Sequence, residues 1–328
     1  MNAGHFRRAL GCGVALLAGL AITAAPASAQ APYPNHVIKL VVGFAAGGGN
    51  DIFARIIAQK MQDDLGQPVI VENRPGASGV VAAQYVKKAA PDGYTLLVGA
   101  AGGMTIVPAV SVKPPYDAAK DFTPISMIAA FPLILAVKAD SPIKTVPDLI
   151  AWMKTHPDKA NYASSSTAFT LATELFKLKT GVPGIAIPYK SSNESILSVI
   201  AGQSLLTIAD PPPTTPQVKG GLVRGLAVLD AKRLDDLPDV PTMTEAGVPD
   251  VNVSLWSGVF GPAHLPPEIA KKLETELMKI MQEADVKAKF KNMATPTVGS
   301  SSAAFTKAIV EQTRMWAEIG RAANVKLE

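Results

Sequence analysis

The chain has 328 residues, 48% of them hydrophobic, which is enough material for two ordinary domains with their own cores. Its formal charge of +4 falls to 29 basic against 27 acidic residues, about +2, if a leader carrying Arg7 and Arg8 is removed, and this gives no electrostatic case for a nucleic-acid partner. Cys12 is the single cysteine, so loss of that leader leaves no disulfide, thiolate nucleophile or cysteine metal site.

In chain order, Arg7 and Arg8, the apolar stretch from Val14 to Ile22 and the small-residue site Ala27-Ser28-Ala29 predict a cleaved export signal over residues 1–29. The mature chain then begins near Gln30, and a bacterial periplasm is the simplest destination. Leu10-Gly11-Cys12 hints at a lipoprotein box, but the apolar region follows that cysteine instead of preceding it.

Val37 to Val42 reads as a strand, and Ile52, Phe53, Ile56, Ile57 and Met61 recur at helical spacing over Asp51 to Leu65. Between them lies Phe44-Ala45-Ala46-Gly47-Gly48-Gly49-Asn50-Asp51. Its glycines let backbone N–H groups approach a ligand, and the free N–H groups of the following helix favour an anion such as a carboxylate or phosphate. It lacks the Lys-Ser/Thr of a Walker loop, and Ile52 stands where G-x-G-x-x-G needs its third glycine. The alternative is a structural turn with Asp51 capping the helix.

A strand over Pro68 to Glu72, a helix over Gly79 to Ala89 and a strand over Thr95 to Val98 complete a β-α-β-α-β unit. That unit predicts a parallel sheet with ligand-facing loops at 44–51, 73–79 and 99–108. The apolar run Ile125 to Val137 precedes a fresh α/β rhythm: helix Val146 to Thr155, strand Ala160 to Ala163, helix Leu171 to Lys179 and strand Gly184 to Pro188. Helix Glu194 to Ala201 and strands Leu205 to Ile208 and Gly225 to Leu229 continue it. Strand Ser254 to Gly261 leads back, followed by two amphipathic helices. One starts at Pro266-Pro267-Glu268 and buries Ile269, Leu273, Leu277 and Ile280; the other carries Phe305, Ile309, Trp316 and Ile319. The expected organisation is α/β throughout, with one domain over 30–133 and 254–328, a second over 134–253, and a cleft between them suited to a small molecule.

Catalytic signatures are missing. His36, His156 and His264 have no partner at metal-ligand or nucleophile spacing. Ser78 lacks the spacing of a nucleophile elbow and reads as a helix N-cap. Ser141-Pro142-Ile143-Lys144 with Lys179-Thr180-Gly181 mimics two boxes of penicillin-recognising enzymes, but the proline and the order of the boxes are wrong. No cofactor motif is present, and the expectation is a binding protein with no metal and no catalytic residues.

Gly43-Phe44 through Asp51, Val71-Glu72-Asn73-Arg74-Pro75-Gly76, Ala90-Pro91-Asp92-Gly93-Tyr94, Asp121-Phe122-Thr123-Pro124, Pro188-Tyr189-Lys190 and Asp239-Val240-Pro241-Thr242 together resemble the Bug family. These are the extracytoplasmic solute receptors of tripartite tricarboxylate transporters. The resemblance implies a type II periplasmic-binding-protein fold that closes on a small carboxylate and delivers it to membrane permease subunits, and it predicts a monomer. Its implied ligand loops supply Phe44, Ala46, Gly48, Gly49, Asn50 and Asp51 from the first, and Ala101 and Thr105 from the second. The other domain supplies Ser164, Ser165, Ser166, Thr167 and Phe169, with Tyr189, Ser191 and Asp210 beside them.

This chain departs from the family where Ala46 replaces a proline, Ser191 replaces a glycine, and the serine-rich loop lacks the usual histidine. Ala209-Asp210-Pro211-Pro212-Pro213 also replaces a more typical stretch. The serine and threonine hydroxyls remain donors for a carboxylate. If Phe44 and Phe169 face the cleft, an aromatic or longer apolar mono- or dicarboxylate suits it better than citrate. Two rivals are a sensor component docking on a membrane kinase, and a periplasmic enzyme using Asp51 or Asp210 as its base.

Overall fold

The computed structural model describes residues 32–322 and Leu327. The predicted export signal over residues 1–29 lies outside the described residues, as does the side chain of Ile319. The elements up to the serine-rich loop are β1 (Ile38–Val42), α1 (Gly49–Leu65), β2 (Val69–Asn73), α2 (Val80–Lys87), β3 (Thr95–Ala100), α3 (Val107–Val110), β4 (Phe122–Pro132), β5 (Ile134–Lys138), α4 (Val146–Thr155) and β6 (Asn161–Ser164). There follow α5 (Thr167–Thr180), β7 (Ile185–Pro188), α6 (Ser192–Ile200), β8 (Leu206–Ala209), α7 (Pro211–Lys219), β9 (Val223–Val228), β10 (Ser254–Pro262), α8 (Pro267–Ile280), α9 (Ala284–Lys291) and α10 (Ser302–Ala322).

They build two five-stranded sheets, ordered β2-β1-β3-β10-β4 and β7-β6-β8-β5-β9. In the first, β1 runs parallel to β2 and β3, while β10 runs antiparallel to both β3 and β4. In the second, β6 is parallel to β7 and β8, and β5 is antiparallel to β8 and β9. This is the two-lobed α/β arrangement of the type II periplasmic-binding-protein fold. β1, β2 and β3 are parallel as the β-α-β-α-β unit predicted; the first sheet becomes mixed where the returning chain inserts β10 antiparallel beside β3, and the second becomes mixed through the antiparallel β5.

The apolar run 125–137 is two strands with only Leu133 between them, so the chain leaves one sheet and enters the other at that residue. The return crossing lies alongside: Leu229 N–H donates to Leu133 O at 2.9 Å, and Val253 N–H to Leu229 O at 2.9 Å. Three helical segments escaped the periodicity. Residues 102–110 form a wide turn running into α3, α7 begins in three prolines, and α9 is short and polar. α5 starts at Thr167, ahead of the expected Leu171, because Ser166 caps it by accepting from Phe169 N–H.

Helix ends follow sequence chemistry. Thr145 and Asp148 form a reciprocal capping box for α4, and Gly66 and Gly181 close α1 and α5 in the left-handed conformation that glycine adopts without strain. β10 is the centre of the first lobe's core, with Trp256 edge-on to Phe305 at 5.0 Å and Phe260 at 4.9 Å from the same ring. Gly258 lets that ring reach the sheet, since a Cβ there would lie 2.2 Å from Phe305 Cζ and 3.0 Å from Ser126 O. Gly258→Ala should therefore cost about 1–3 kcal/mol through overpacking. A denaturant midpoint equal to that of the unaltered protein would refute this packing account.

Candidate functional site

The first turns of four helices line one cavity between the sheets. α1 contributes Gly48, Gly49 and Asn50, α5 contributes Ser166, Ala168 and Phe169, α6 contributes Ser192, and α7 contributes Asp210. Each helix follows the C-terminal end of a strand, where open α/β sheets place their ligands. Unpaired N–H groups at the starts of α1, α5 and α6, together with the helix dipoles, make this convergence suited to an anion, while α7 begins in three prolines and brings only its dipole. Ala100, Ala101, Gly102 and Ser165 complete the polar rim, while Phe44, Phe131, Leu255 and Trp256 add an apolar wall. The enclosed space is about 30 Å³. That alone is far below the ~300 Å³ or more of ordinary small-molecule pockets, and the mouth groove of about 320 Å³ that shares Phe44 and Ser165 with it adds the room a ligand needs.

The glycine loop is fixed by Asp51, 2% exposed at the third position of α1. Its carboxylate accepts from Gly47 N–H at 2.9 Å, Asn73 Nδ2 at 2.9 Å, and Arg55 Nε and Nη2 at 3.0 and 2.9 Å. Burial pushes this carboxyl up, but the hydrogen bonds from Arg55, Gly47 and Asn73 together with the Arg55 charge outweigh it, and the net is below the usual carboxylate value. Asn73 also donates to Phe44 O at 3.0 Å, which ties both ends of the loop to one cluster. This gives the Glu72-Asn73-Arg74 block a structural role. Arg74 pairs with Glu72 at 2.6 Å and lies over the Tyr85 ring at 3.6 Å.

The lobes touch across the cleft. Ala45 N–H donates to Lys190 O at 3.2 Å, and Ser78 Oγ accepts from Thr167 N–H at 2.9 Å while its hydroxyl pairs with Thr167 Oγ1 at 2.8 Å. Ser78 is thus a strut between lobes and not the predicted N-cap; Gly79 precedes α2, with no side-chain cap. Another close approach is at Gly49, where an added Cβ would sit 1.8 Å from Asp210 Oδ2. Asp210 is 4% exposed, and burial pushes its carboxyl up to about 6, against the pull of hydrogen bonds from Ser192, its own N–H and Gly49 N–H.

The reason Asp210 faces across the cleft lies in the next three residues. It precedes α7 as the capping residue, yet its side chain caps nothing, because Pro211, Pro212 and Pro213 have no N–H to offer.

Of the residues singled out from sequence, Phe44, Gly48, Gly49, Asn50, Ala101, Ser165, Ser166, Phe169 and Asp210 line the cavity. The other seven do not. Ala46 is exposed, Asp51 is committed to the loop cluster, and the Thr105 hydroxyl donates to Ala101 O at 2.7 Å. Ser164 bonds Ser166 O and Thr170, Thr167 braces Ser78, and Ser191 caps α6 by accepting from Glu194 N–H. Tyr189 lies outside the cavity, in the adjoining mouth groove, with Ser78 and Lys190. Sequence reasoning missed Phe131, Leu255 and Trp256, which sit in core strands and look like packing, and also Ala168 and Ser192. The polar Ser257 inside an apolar strand was a signal: its hydroxyl bonds Asn50 Oδ1.

A larger groove of about 920 Å³ around Lys144, Arg224 and Glu245 shares no residue with this cavity. No helix of the described residues is long and apolar enough to cross a membrane, and among them no cluster of three His, Cys, Asp or Glu side chains could hold a metal.

Known proteins agree with this geometry. Residues 53–325 match the profile of the tripartite tricarboxylate transporter family receptor. The chain is 34% identical to protein BugT of Bordetella pertussis over 93% of its own length and 94% of that protein's. Its fold superposes on R. palustris Rpa4515, solved with adipate, at a TM-score of 0.86 and 34% identity, covering 90% of this chain and 99% of that one. MatC from Rhodopseudomonas palustris, solved with bound malate, gives a TM-score of 0.84 at 28% identity over 88% and 99% of the two chains. The chain therefore belongs to the Bug family of tripartite tricarboxylate transporter receptors.

Proposed function

We propose that this protein is an exported receptor that captures a small carboxylate by closing its lobes and passes it to the membrane subunits of a tripartite tricarboxylate transporter. The observation that carries this reading is the convergence of four helix N-termini, one lobe's glycine loop facing the other's serine loop, on a cavity between the sheets. Relatives of the same fold hold adipate and malate, which supports a carboxylate ligand. Phe44, Phe169 and Trp256 in the wall favour an aromatic or longer apolar skeleton over citrate, whose three charges need more donors.

The division into domains at 30–133 with 254–328, and 134–253, is part of the proposal. It places the hinge at the paired crossings of Leu133, Leu229 and Val253, and closure there makes affinity the balance of ligand contacts and the free energy of closing. Binding without turnover is the reading the lining supports. It includes no His, Cys or Lys, and Asp51, one of the two candidate bases, is held by Arg55 and Asn73.

The test is a thermal-shift panel of the mature protein against adipate, malate, citrate, benzoate and terephthalate. A ligand at about 100 times its Kd should stabilise by about 2.7 kcal/mol, raise the melting temperature, and be recovered unchanged by chromatography. No shift with any acid, or recovery of a product, would overturn the reading.

A further inference from the structure

We infer that the ligand presents a carboxamide N–H to Asp210, so that this receptor prefers the monoamide of a dicarboxylic acid to the dicarboxylate itself. The inference rests on the cleft being the ligand site, as proposed above, and names the head group it reads.

Three polar atoms in the cavity wall are shut off from solvent without a partner among the described residues: Asn50 Nδ2, Ser165 Oγ and Asp210 Oδ1. Asn50 and Asp210 are 6% and 4% exposed. Their chemistry is specific. Asn50 Oδ1 is occupied by Ser257, which leaves its amide nitrogen as a donor. Asp210 Oδ2 faces Gly49, and Oδ1, without a partner, is left as an acceptor. Ser165 Oγ serves as either.

A planar primary amide answers this set with one group. Its oxygen accepts from Asn50, one N–H donates to Asp210 Oδ1, and the second meets Ser165. A carboxylate satisfies Asn50 and Ser165 but sets an acceptor and a like charge against Asp210. Buried polar groups left unpaired discriminate strongly between such isosteres. The three prolines after Asp210 hold the arrangement in place, because a helix start with N–H groups would draw the carboxylate back as its own cap.

The experiment compares two isosteric pairs by calorimetry at pH 7.5, adipate against its monoamide and terephthalate against 4-carbamoylbenzoate, in the unaltered protein and in Asp210→Asn. In whichever skeleton binds, the monoamide should bind at least tenfold tighter to the unaltered protein. Asp210→Asn presents a donor where Oδ1 stood, and the preference should narrow or invert while the melting curve remains cooperative.

Equal or tighter binding of the dicarboxylate by the unaltered protein overturns the inference, as does a preference that Asp210→Asn leaves unchanged. If none of the four compounds binds but another acid in the thermal-shift panel does, the receptor reading stands and this inference falls. If no acid and no amide binds, both fall.

Discussion

Gly49→Ala should abolish ligand-induced closure and weaken ligand binding at least ~100-fold, equivalent to about 2.7 kcal/mol, with the ligand-free protein fully folded. The added methyl would lie 1.8 Å from Asp210 Oδ2, 3.0 Å from its Cγ and 3.5 Å from Pro212 Cγ, so the lobes cannot reach the approach seen here. Nothing in the glycine's own conformation demands glycine, for it is the first residue of α1 and its φ is not in the left-handed region. Alanine is also the better helix former by about 1 kcal/mol. The substitution therefore acts on closure and spares the fold. Calorimetry gives the affinity, and a thermal melt without ligand checks the rest. Trimming the opposing side chain in Gly49→Ala, Asp210→Ala should restore part of the binding, because coupled sites in contact are not additive. Unaltered affinity in the single variant would mean that closure does not bring Gly49 against Asp210.

The second large effect is on stability. Asp51→Ala removes an acceptor shared by Gly47, Asn73 and Arg55, and should cost about 2–3 kcal/mol. The figure is held at the low end of buried pairs because the Arg55 side chain is 53% exposed and its charge stays solvated. Thermal denaturation should show a fall of roughly 3–5 °C for a chain of this size. A loss of under one degree would show that the loop cluster carries little of the fold.

The pH dependence has a defined sign. The Asp51 carboxyl titrates below its ordinary value, so its contribution is present above that value and disappears as pH falls through the lower folded-state pKa. Asp210 runs the other way. With its carboxyl raised from 3.8 to about 6, the closed protein holds a proton that the unfolded chain has released, and stability declines as pH rises across that window. Asp51→Ala should flatten the acid limb below about pH 4 and leave the pH 4–6 slope intact.

Much of this was legible in the residues. Strand and helix identities followed from periodicity wherever an apolar face was long enough, as in α1, α4 and α8. α7 was hidden because proline normally argues against a helix, yet at the first three positions its missing N–H has no helical partner to lose. α9 was hidden because only Val286 and Phe290 of its eight residues are buried. In the site, the glycine and serine loops were readable as backbone chemistry, whereas Trp256, Leu255 and Phe131 were not. They lie on strands distant in sequence, and which end of a strand opens into a cleft is decided by topology. The roles of Asp51 and Ser78 were legible only in kind: both are polar residues near a helix start, but one anchors a loop and the other bridges two lobes.

The placement of β10 between β3 and β4 has a consequence for how the chain assembles. The second sheet is drawn from one continuous stretch, β5 to β9, and can form as soon as that stretch is available. The first sheet cannot. Until Ser254–Pro262 arrives, β3 and β4 have no neighbour on their facing edges, and an open edge invites pairing with another chain. The strands β1 to β4 must therefore wait, incompletely paired, while later sequence is made. A chain truncated before residue 254 should behave as a sticky intermediate and not as a smaller folded protein.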